Sequence, residues 1–460
     1  MPPHKSLQAF LATARSALNA PPTKRPSPLT FVVGNESADL DSLCSALLLA
    51  YFRSQAPPHY ALHIPLCNIP RDDLGLRPEF RATLRDAALS PDDVITLSEL
   101  PAPDAPNALK PSDARWLLVD HNVLTGPLAR TYSSSEVTGC VDHHDDEGKV
   151  LRDADPRVIE KCGSCMSLVV EHSRAIWDSL EEDEKESIGD GTNNNDNDND
   201  NDNDDNDLQY HLARLALAPV LIDTRNLGDA TKTTDRDERA VEYAEAKLAS
   251  AGGGSDDKTY DRTTLFERLS RLKSDIEPLS LRDILRKDYK EWDEGEGGGD
   301  ESKRKDGAKA SAPQVLKLGT SSVPRSISFL VQKAGSEGKL VDALASWGEE
   351  RGVDLVVVMS SFSPAEEVDS SSSGSEDHAR ELLVWARTGE QAADAARRFA
   401  DANAEMLELR TWGDGKLDVV GQDGQDGREW RRCWTQGKMD CSRKQVAPML
   451  REAMKRSLYD

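Results

Sequence analysis

The chain has 460 residues, 57 Lys and Arg against 82 Asp and Glu, and a formal net charge of −25. That length holds two or three domains with sizeable cores, and the charge argues against a broad basic face for nucleic acid or another polyanion. The charge is unevenly spread, however: residues 181–207 hold 13 acids and one Lys, so 27 residues carry −12 of the −25.

The N-terminal stretch MPPHKSLQAFLATARSALNAPPTKRP reads as an amphipathic helix stopped by Pro21 and Pro22. It lacks a secretory apolar block. It is acid-poor and contains Ser and Arg, so a mitochondrial transit segment stands as the alternative to a cytoplasmic protein. From residue 29 to about 251, short apolar runs alternate with helical stretches. LTFVVG (29–34), ALHIPLCNI (61–69), VITLSEL (94–100), RWLLVD (115–120) and VTGCVD (137–142) read as strands. LCSALLLAYFRS (43–54) and GSCMSLVVEHSRAIWDSL (163–180) read as helices. The alternation predicts an α/β fold with a doubly wound parallel sheet, whose sites lie at the carboxyl ends of strands.

The Asn-Asp tract at 193–207 has no apolar residue, and the acidic stretch 181–207 reads as a disordered insertion. The Gly-rich AGGGSDDK (251–258) marks a boundary. We therefore expect a first domain over 1–250, a linker over 251–262 and a smaller second α/β domain over 263–460. Low-complexity loops at 294–312 and 364–378 interrupt the second domain, leaving VLKLGTSSV (315–323), DLVVVMSSF (354–362) and ELLVWAR (381–387) as its strands. No apolar run approaches the roughly 20 residues of a membrane span. Seven cysteines, an odd number, fit reduced thiols better than a disulfide framework.

The chemistry-bearing residues follow apolar segments. GNESADLDS (34–42) sets Asp39 and Asp41 two apart between a strand and a helix, where a simple helix-capping turn is the bland reading. RWLLVD ends in Asp120, followed by His121 and Asn122; VTGCVD ends in Asp142, followed by His143 and His144. A fourth apolar stretch, LALAPVLIDTRNL, carries Asp223. Four such segments on a parallel sheet would cluster carboxylates that repel unless cations lie between them. Hard oxygen ligands with imidazole favour Mg²⁺ or Mn²⁺. A pair of such ions clamps the attacking and leaving oxygens in phosphoryl chemistry.

In this order, G-N-E-x-x-D-L-D-S, V-D-H, V-D-H-H and I-D-T resemble the four motifs of the DHH phosphoesterases. LRKDYK (285–290), GTSSVP (319–324) and QGKMDCSRKQVAPML (436–450) resemble the second domain of cytosolic exopolyphosphatases, to which family II inorganic pyrophosphatases and prune-type proteins are related. The resemblance covers nearly the whole chain and implies an exopolyphosphatase with its active site in the interdomain cleft. It implies two divalent ions, Mg²⁺ or Mn²⁺ with Co²⁺ a softer option. Asp120 would bridge them, Asp39 would serve one with Asn35 near or on it, and Asp41, His143 and Asp223 would serve the other. His144 would face the substrate beside Asp142, and Arg443, Lys444 and, as a weaker match, Lys290 would hold phosphate. The pyrophosphatases have a histidine where this chain has Asn35 and a proline where it has Ala38. Loss of an imidazole ligand should loosen one metal position and favour Mg²⁺.

Residues 428–456 hold nine Lys or Arg and three acids, a local +6 that could receive a polyanion; a solvated basic helix face is the bland alternative. Cys162 and Cys165 have redox spacing, but we read them as a structural helix start. Gly252 to Gly254 lack a following His, so the nucleic-acid element of nuclease-like relatives is missing. Trp430 and Trp434 are expected to pack beneath the basic strip, and Lys232 is explained equally by loop solvation. The expected partner is inorganic polyphosphate, with no nucleic acid, no membrane and a monomeric state. A prune-like enzyme for short polyphosphates or nucleotides, a pyrophosphatase and a catalytically retired scaffold are the alternatives.

Overall fold

Five short runs rich in Val, Leu, Ile and Phe form a parallel sheet in the first part of the chain. The computed structural model describes residues 6–102, 104–189, 204–251, 260–295, 315–364, 378–387, 389–419 and 429–459. These form two units, Met1–Asp275 and Ile276–Asp460. In the first, β1 (Leu29–Val33), β2 (His63–Leu66), β3 (Ala114–Val119), β4 (Glu136–Asp142) and β5 (Arg157–Ile159) pair in the order β2-β1-β3-β4-β5. Its helices are α1 (Leu7–Asn19), α2 (Leu40–Gln55), α3 (Pro78–Asp86), α4 (Gly126–Thr131), α5 (Cys165–Gly189), α6 (Asp204–Asp223), α7 (Asp235–Ser250) and α8 (Arg262–Ser274).

Strands covered on both faces must be apolar throughout, and alternate side chains here feed two cores. Val32, Leu117, Val119 and Val141 join residues of α2, α5 and α6. Phe31, Val33, Trp116, Leu118 and Cys140 join Ala14 and Leu18 of α1 and Leu128 of α4. Phe31 stacks on Trp116 at 5.1 Å between ring centres. The N-terminal helix read from the sequence is therefore α1, which buries Phe10, Leu11, Ala14 and Leu18. Strand order reverses between β1 and β3, and the helices that follow them, α2 and α4, go to opposite faces. Such a reversal opens a crevice at the carboxyl ends of the two strands.

Three expectations need correction. Residues 94–100 are not a strand: Thr96 makes one bridge to Cys67, then Thr96 and Glu99 cap a 3-10 turn over Leu97–Glu99. The capping box satisfies backbone groups that a ladder would otherwise use. The insertion is also shorter than expected, because α5 runs to Gly189 and α6 begins at Asp204. Glu and Lys are good helix formers, and Glu181 accepts a hydrogen bond from the buried Lys247. Residues 190–203 lie outside the described residues. Finally, Asp223 is delivered by the end of helix α6 rather than by a strand of the sheet.

The Gly-rich stretch 252–259 also lies outside the described residues. Helix α8 packs against α3 and α6, so the first unit extends to Asp275. The second unit contains α9 (Leu281–Lys287), β6 (Tyr289–Gly295), β7 (Val315–Val323), α10 (Ile327–Ala334), α11 (Glu337–Arg351), β8 (Leu355–Phe362), β9 (Ala379–Ala386), α12 (Glu390–Asn403), β10 (Leu409–Thr411), β11 (Trp430–Gln436) and α13 (Arg443–Tyr459). Its mixed sheet has the order β10-β11-β9-β8-β7-β6, with β7 and β8 parallel and the other pairs antiparallel. The three strands predicted here are β7, β8 and β9. The low-complexity stretches 296–314 and 365–377 lie outside the described residues.

Part of the basic strip is not the solvated helix face of the bland reading. Residues 430–436 form an interior strand, with Trp430 and Trp434 buried 6.0 Å apart. Arg431 is buried, donates to the Leu417 carbonyl at 2.7 Å and pairs with Glu429 at 3.0 Å. Arg451 and Lys455 both reach the buried Glu294. Much of the local positive charge is therefore balanced within the unit. All seven cysteines are free, and no helix of the described residues is long and apolar enough to cross a membrane.

Candidate metal centre

Asp120 follows β3 directly, at the crevice. Its backbone takes a left-handed φ of 59°, while its N–H still bonds Val141 O at 3.1 Å and extends the ladder to β4. Asp is among the few residues that tolerate this conformation. The side chain is 3% exposed. Its Oδ2 accepts from Asn35 Nδ2 at 2.7 Å and from Ser42 Oγ at 2.6 Å. Its Oδ1 faces His143 Nε2 at 3.1 Å and His144 Nδ1 at 3.6 Å. Asn35 thus turns its amide nitrogen toward Asp120, and its oxygen accepts from the Ser37 N–H at 2.9 Å.

Asp39 and Asp41 sit at the start of α2. Asp39 caps the helix through Ser42 N–H at 3.0 Å. Asp41 is buried and accepts from the first amides of α5, Cys165 at 2.6 Å and Met166 at 2.9 Å. Burial, then the charges of Asp120, Asp223 and Asp39, push the Asp41 carboxyl well above the usual carboxylate range. His143 is buried, and its Nδ1 donates to Cys162 O at 3.1 Å. That bond leaves Nε2 facing Asp120 Oδ1 at 3.1 Å and Asp41 Oδ2 at 4.0 Å. A lone pair and a carboxylate oxygen at that spacing require a proton or a cation between them.

The residues fit a divalent ion on a separate count. Asp223 Oδ2 is buried and has no hydrogen-bond partner among the described residues. A buried carboxylate oxygen left without a donor is costly. Asp120, His143 and His144 also present ligand atoms within 4.8 Å of one another. Carboxylate oxygens with imidazole nitrogen suit Mg²⁺ or Mn²⁺.

His144 is a quarter exposed, with Nδ1 donating to Asp142 Oδ1 at 2.8 Å. Asp142 is fully buried and also accepts from the His144 backbone N–H at 3.2 Å and from Asn122 Nδ2 at 2.6 Å. Burial alone would raise the Asp142 carboxyl; the His144 ring and the Asn122 amide more than offset it and hold it below its usual range. Both Asp142 oxygens are engaged in holding His144 and Asn122. Among the other expected residues, Arg443 opens α13 and grips Asp288 through its side chain at 2.8 Å and its carbonyl at 3.2 Å. Lys290 lies two residues further along, on β6 opposite Thr320, and Lys444 is exposed on the first turn of α13.

One residue gave no chemical signal in the sequence. Asp237, fully buried, accepts from the Gly163 and Ser164 amides, the Ser167 hydroxyl and both donors of Thr234. It thereby fixes the chain entering α5, whose amides hold Asp41. Gly163 is required there, since an added Cβ would lie 2.7 Å from Thr224 Cγ2 and 2.9 Å from Asp237 Oδ2. Gly163→Ala is expected to destabilise the protein by about 1–3 kcal/mol, read as a lowered Tm; an unchanged Tm would mean that this junction yields freely.

Residues 30–191 match the DHH family N-terminal domain and residues 267–453 the DHHA2 domain. A Schizosaccharomyces pombe protein named "Putative exopolyphosphatase" is 30% identical over 444 residues, 95% of this chain and 94% of that protein. Rattus norvegicus "Exopolyphosphatase PRUNE1" is 25% identical over 77% of this chain, which spans 63% of the rat protein. A solved Methanococcus jannaschii structure, described as a "putative family II inorganic pyrophosphatase", covers 92% of this chain at 17% identity with a TM-score of 0.47, over 99% of its own length. The two domain matches and the fungal relative show that the chain belongs to the DHH phosphoesterase family and carries a DHHA2 domain after its DHH domain.

Proposed function

We propose that this chain is a divalent-metal-dependent exopolyphosphatase, which removes the terminal phosphate of inorganic polyphosphate as orthophosphate. The observation that carries the reading is the cluster at the β1/β3 crevice, with the partnerless buried oxygen of Asp223 beside the crowded Asp41. The name of the fungal relative supports the choice of substrate. In this reading Asp39, Asp41, Asp120, His143 and Asp223 hold two ions, Mg²⁺ or Mn²⁺, and Asn35 stands behind Asp120 as a hydrogen-bond donor. Bound there, the ions supply charge neutralisation and an acidified water.

The protein's own residues do the rest. Water oxygen bonds to the terminal phosphorus as the anhydride P–O bond breaks, leaving orthophosphate and a chain one unit shorter. Asp142 accepts the His144 Nδ1–H and fixes the ring, and its charge favours the imidazolium, whose Nε2–H donates to a phosphate oxygen. Asn122 holds Asp142 in turn. Arg443, Lys444 and Lys290 bind phosphate oxygens, Arg443 through its fork and the lysines as point charges. Arg443→Ala is expected to raise the KM for polyphosphate about tenfold; an unchanged KM with an unchanged salt dependence would place Arg443 off the substrate path.

The deciding experiment is orthophosphate release from long-chain polyphosphate, tripolyphosphate, pyrophosphate and nucleoside tetraphosphate, each with Mg²⁺ and with chelator. Chelator-sensitive release that is fastest from the long chain is the expected result. Preference for pyrophosphate or for the nucleotide would replace the substrate assignment. No release from any of them would point to a scaffold.

A further inference from the structure

Arg77 belongs to none of the motifs and lies on the chain entering α3, yet it is only 3% exposed. Its Nε donates to Ala38 O at 2.8 Å and its Nη2 to Ser37 O at 2.6 Å. Both carbonyls belong to the loop between Asn35 and Asp39, where Ala38 adopts a left-handed φ of 44°. An alanine there is strained by about 1 kcal/mol or more, and the guanidinium fork grips the two peptides that form the kink.

The hydrogen bonds continue toward the metal centre. The peptide whose carbonyl accepts from Arg77 lies next to the Ser37 N–H, which donates to Asn35 Oδ1 at 2.9 Å. A backbone N–H can only donate, so this bond decides which end of the Asn35 amide faces Asp120. Asn35 Nδ2 then donates to Asp120 Oδ2 at 2.7 Å and to Asp120 O at 3.0 Å. Asp120 keeps only Oδ1 toward His143. Each link orients the next.

We propose that Arg77 is a positioning residue for the metal centre, acting through the Ser37–Ala38 turn and the Asn35 amide to aim the Asp120 carboxylate. The inference rests on the reading of Asp120 as a metal ligand. Lysine cannot replace the fork, because a single ammonium does not span two adjacent carbonyls in fixed geometry. Residues that orient a metal ligand commonly change metal affinity 10- to 100-fold when altered.

The test is Mn²⁺ titration of the chelator-stripped full chain by calorimetry, with circular dichroism as the check on folding. Arg77→Lys and Asn35→Ala should each weaken Mn²⁺ binding about tenfold. The double variant should bind no more weakly than Asn35→Ala alone, because Arg77 acts through Asn35. A general structural role would instead make the two losses multiply. Unchanged affinity in Arg77→Lys, or losses that multiply, overturns the proposal. If Arg77→Lys does not fold, Asn35→Ala decides alone, since it leaves the Arg77 grip in place; wild-type affinity in that variant overturns the relay. Asp120→Asn separates the two levels of the argument. Wild-type Mn²⁺ binding in Asp120→Asn would defeat the ligand reading itself. Loss of binding there, with normal binding in Arg77→Lys and Asn35→Ala, would defeat only the relay.

Discussion

Under the proposed function, Asp120→Asn is expected to lower orthophosphate release from polyphosphate by about 10³-fold or more, while the metal-free variant is expected to melt no lower than the wild type. The second half of this expectation follows from the donor arrangement. The Asn carbonyl can replace Oδ2 and accept from Asn35 and Ser42 as before. Its NH₂ then points at His143 Nε2, which lies 3.1 Å from the present Oδ1 and carries the lone pair. The substitution fills the cation position with a hydrogen bond and removes one negative charge from a group that includes Asp41, Asp39 and Asp223. Folding gains what metal binding loses. In the wild type, Mg²⁺ at a hundred times its Kd should add about 2.7 kcal/mol of stability, and Asp120→Asn should show little of that shift. Melting curves with and without Mg²⁺, beside a release assay, check both parts. Activity within tenfold of wild type, or a full Mg²⁺-dependent rise in Tm, would remove Asp120 from the ligand set.

The sequence showed where chemistry-bearing residues follow apolar segments, because a buried strand is a continuous apolar run and its end is marked by the first polar residue. Asp120 and Asp142 could be placed for that reason. Asp223 lay in an equally apolar run, but the period of a buried helix and that of a buried strand are not separable over so few residues. It proved to end α6. Strands β6 and β11 escaped notice for the opposite reason. YKEWDEG and WRRCWTQ are dense in charge, and the ion pairs that allow such residues in a sheet, Arg451 with Glu294 and Arg431 with Glu429, join positions that composition cannot pair. The same holds for the groups behind the site. Asp237 and Arg77 act on backbone amides and carbonyls, and a backbone partner leaves no trace in residue type.

Asp142→Asn is expected to lower kcat about 10²- to 10³-fold with little change in KM. Asp142 accepts on both oxygens: the ring and backbone N–H of His144 on one, Asn122 Nδ2 on the other. Asparagine offers one acceptor. With its carbonyl toward His144, its NH₂ meets the Asn122 NH₂, and Asn122 cannot simply turn over. Its oxygen holds the Glu147 N–H at 2.9 Å and its nitrogen the Asp145 carbonyl at 2.9 Å. With the amide reversed, NH₂ meets the His144 backbone N–H and draws the ring proton from Nδ1 to Nε2. Either arrangement moves His144 and removes the charge that would stabilise its imidazolium while a phosphate oxygen gains charge. The phosphate contacts proposed for Arg443 and Lys444 do not involve Asp142, so the loss is expected to fall on kcat. Stability supplies an independent sign. The Asp142 carboxyl is held below its usual range in the folded protein, so its contribution is present above the unfolded pKa of about 3.9 and is lost as pH falls through the lower folded value. The Tm gap between wild type and Asp142→Asn should therefore be widest near neutrality and narrow in acid. A gap that widens in acid, or a kcat within about threefold of wild type, would mean that Asp142 does not hold His144 as a charged partner.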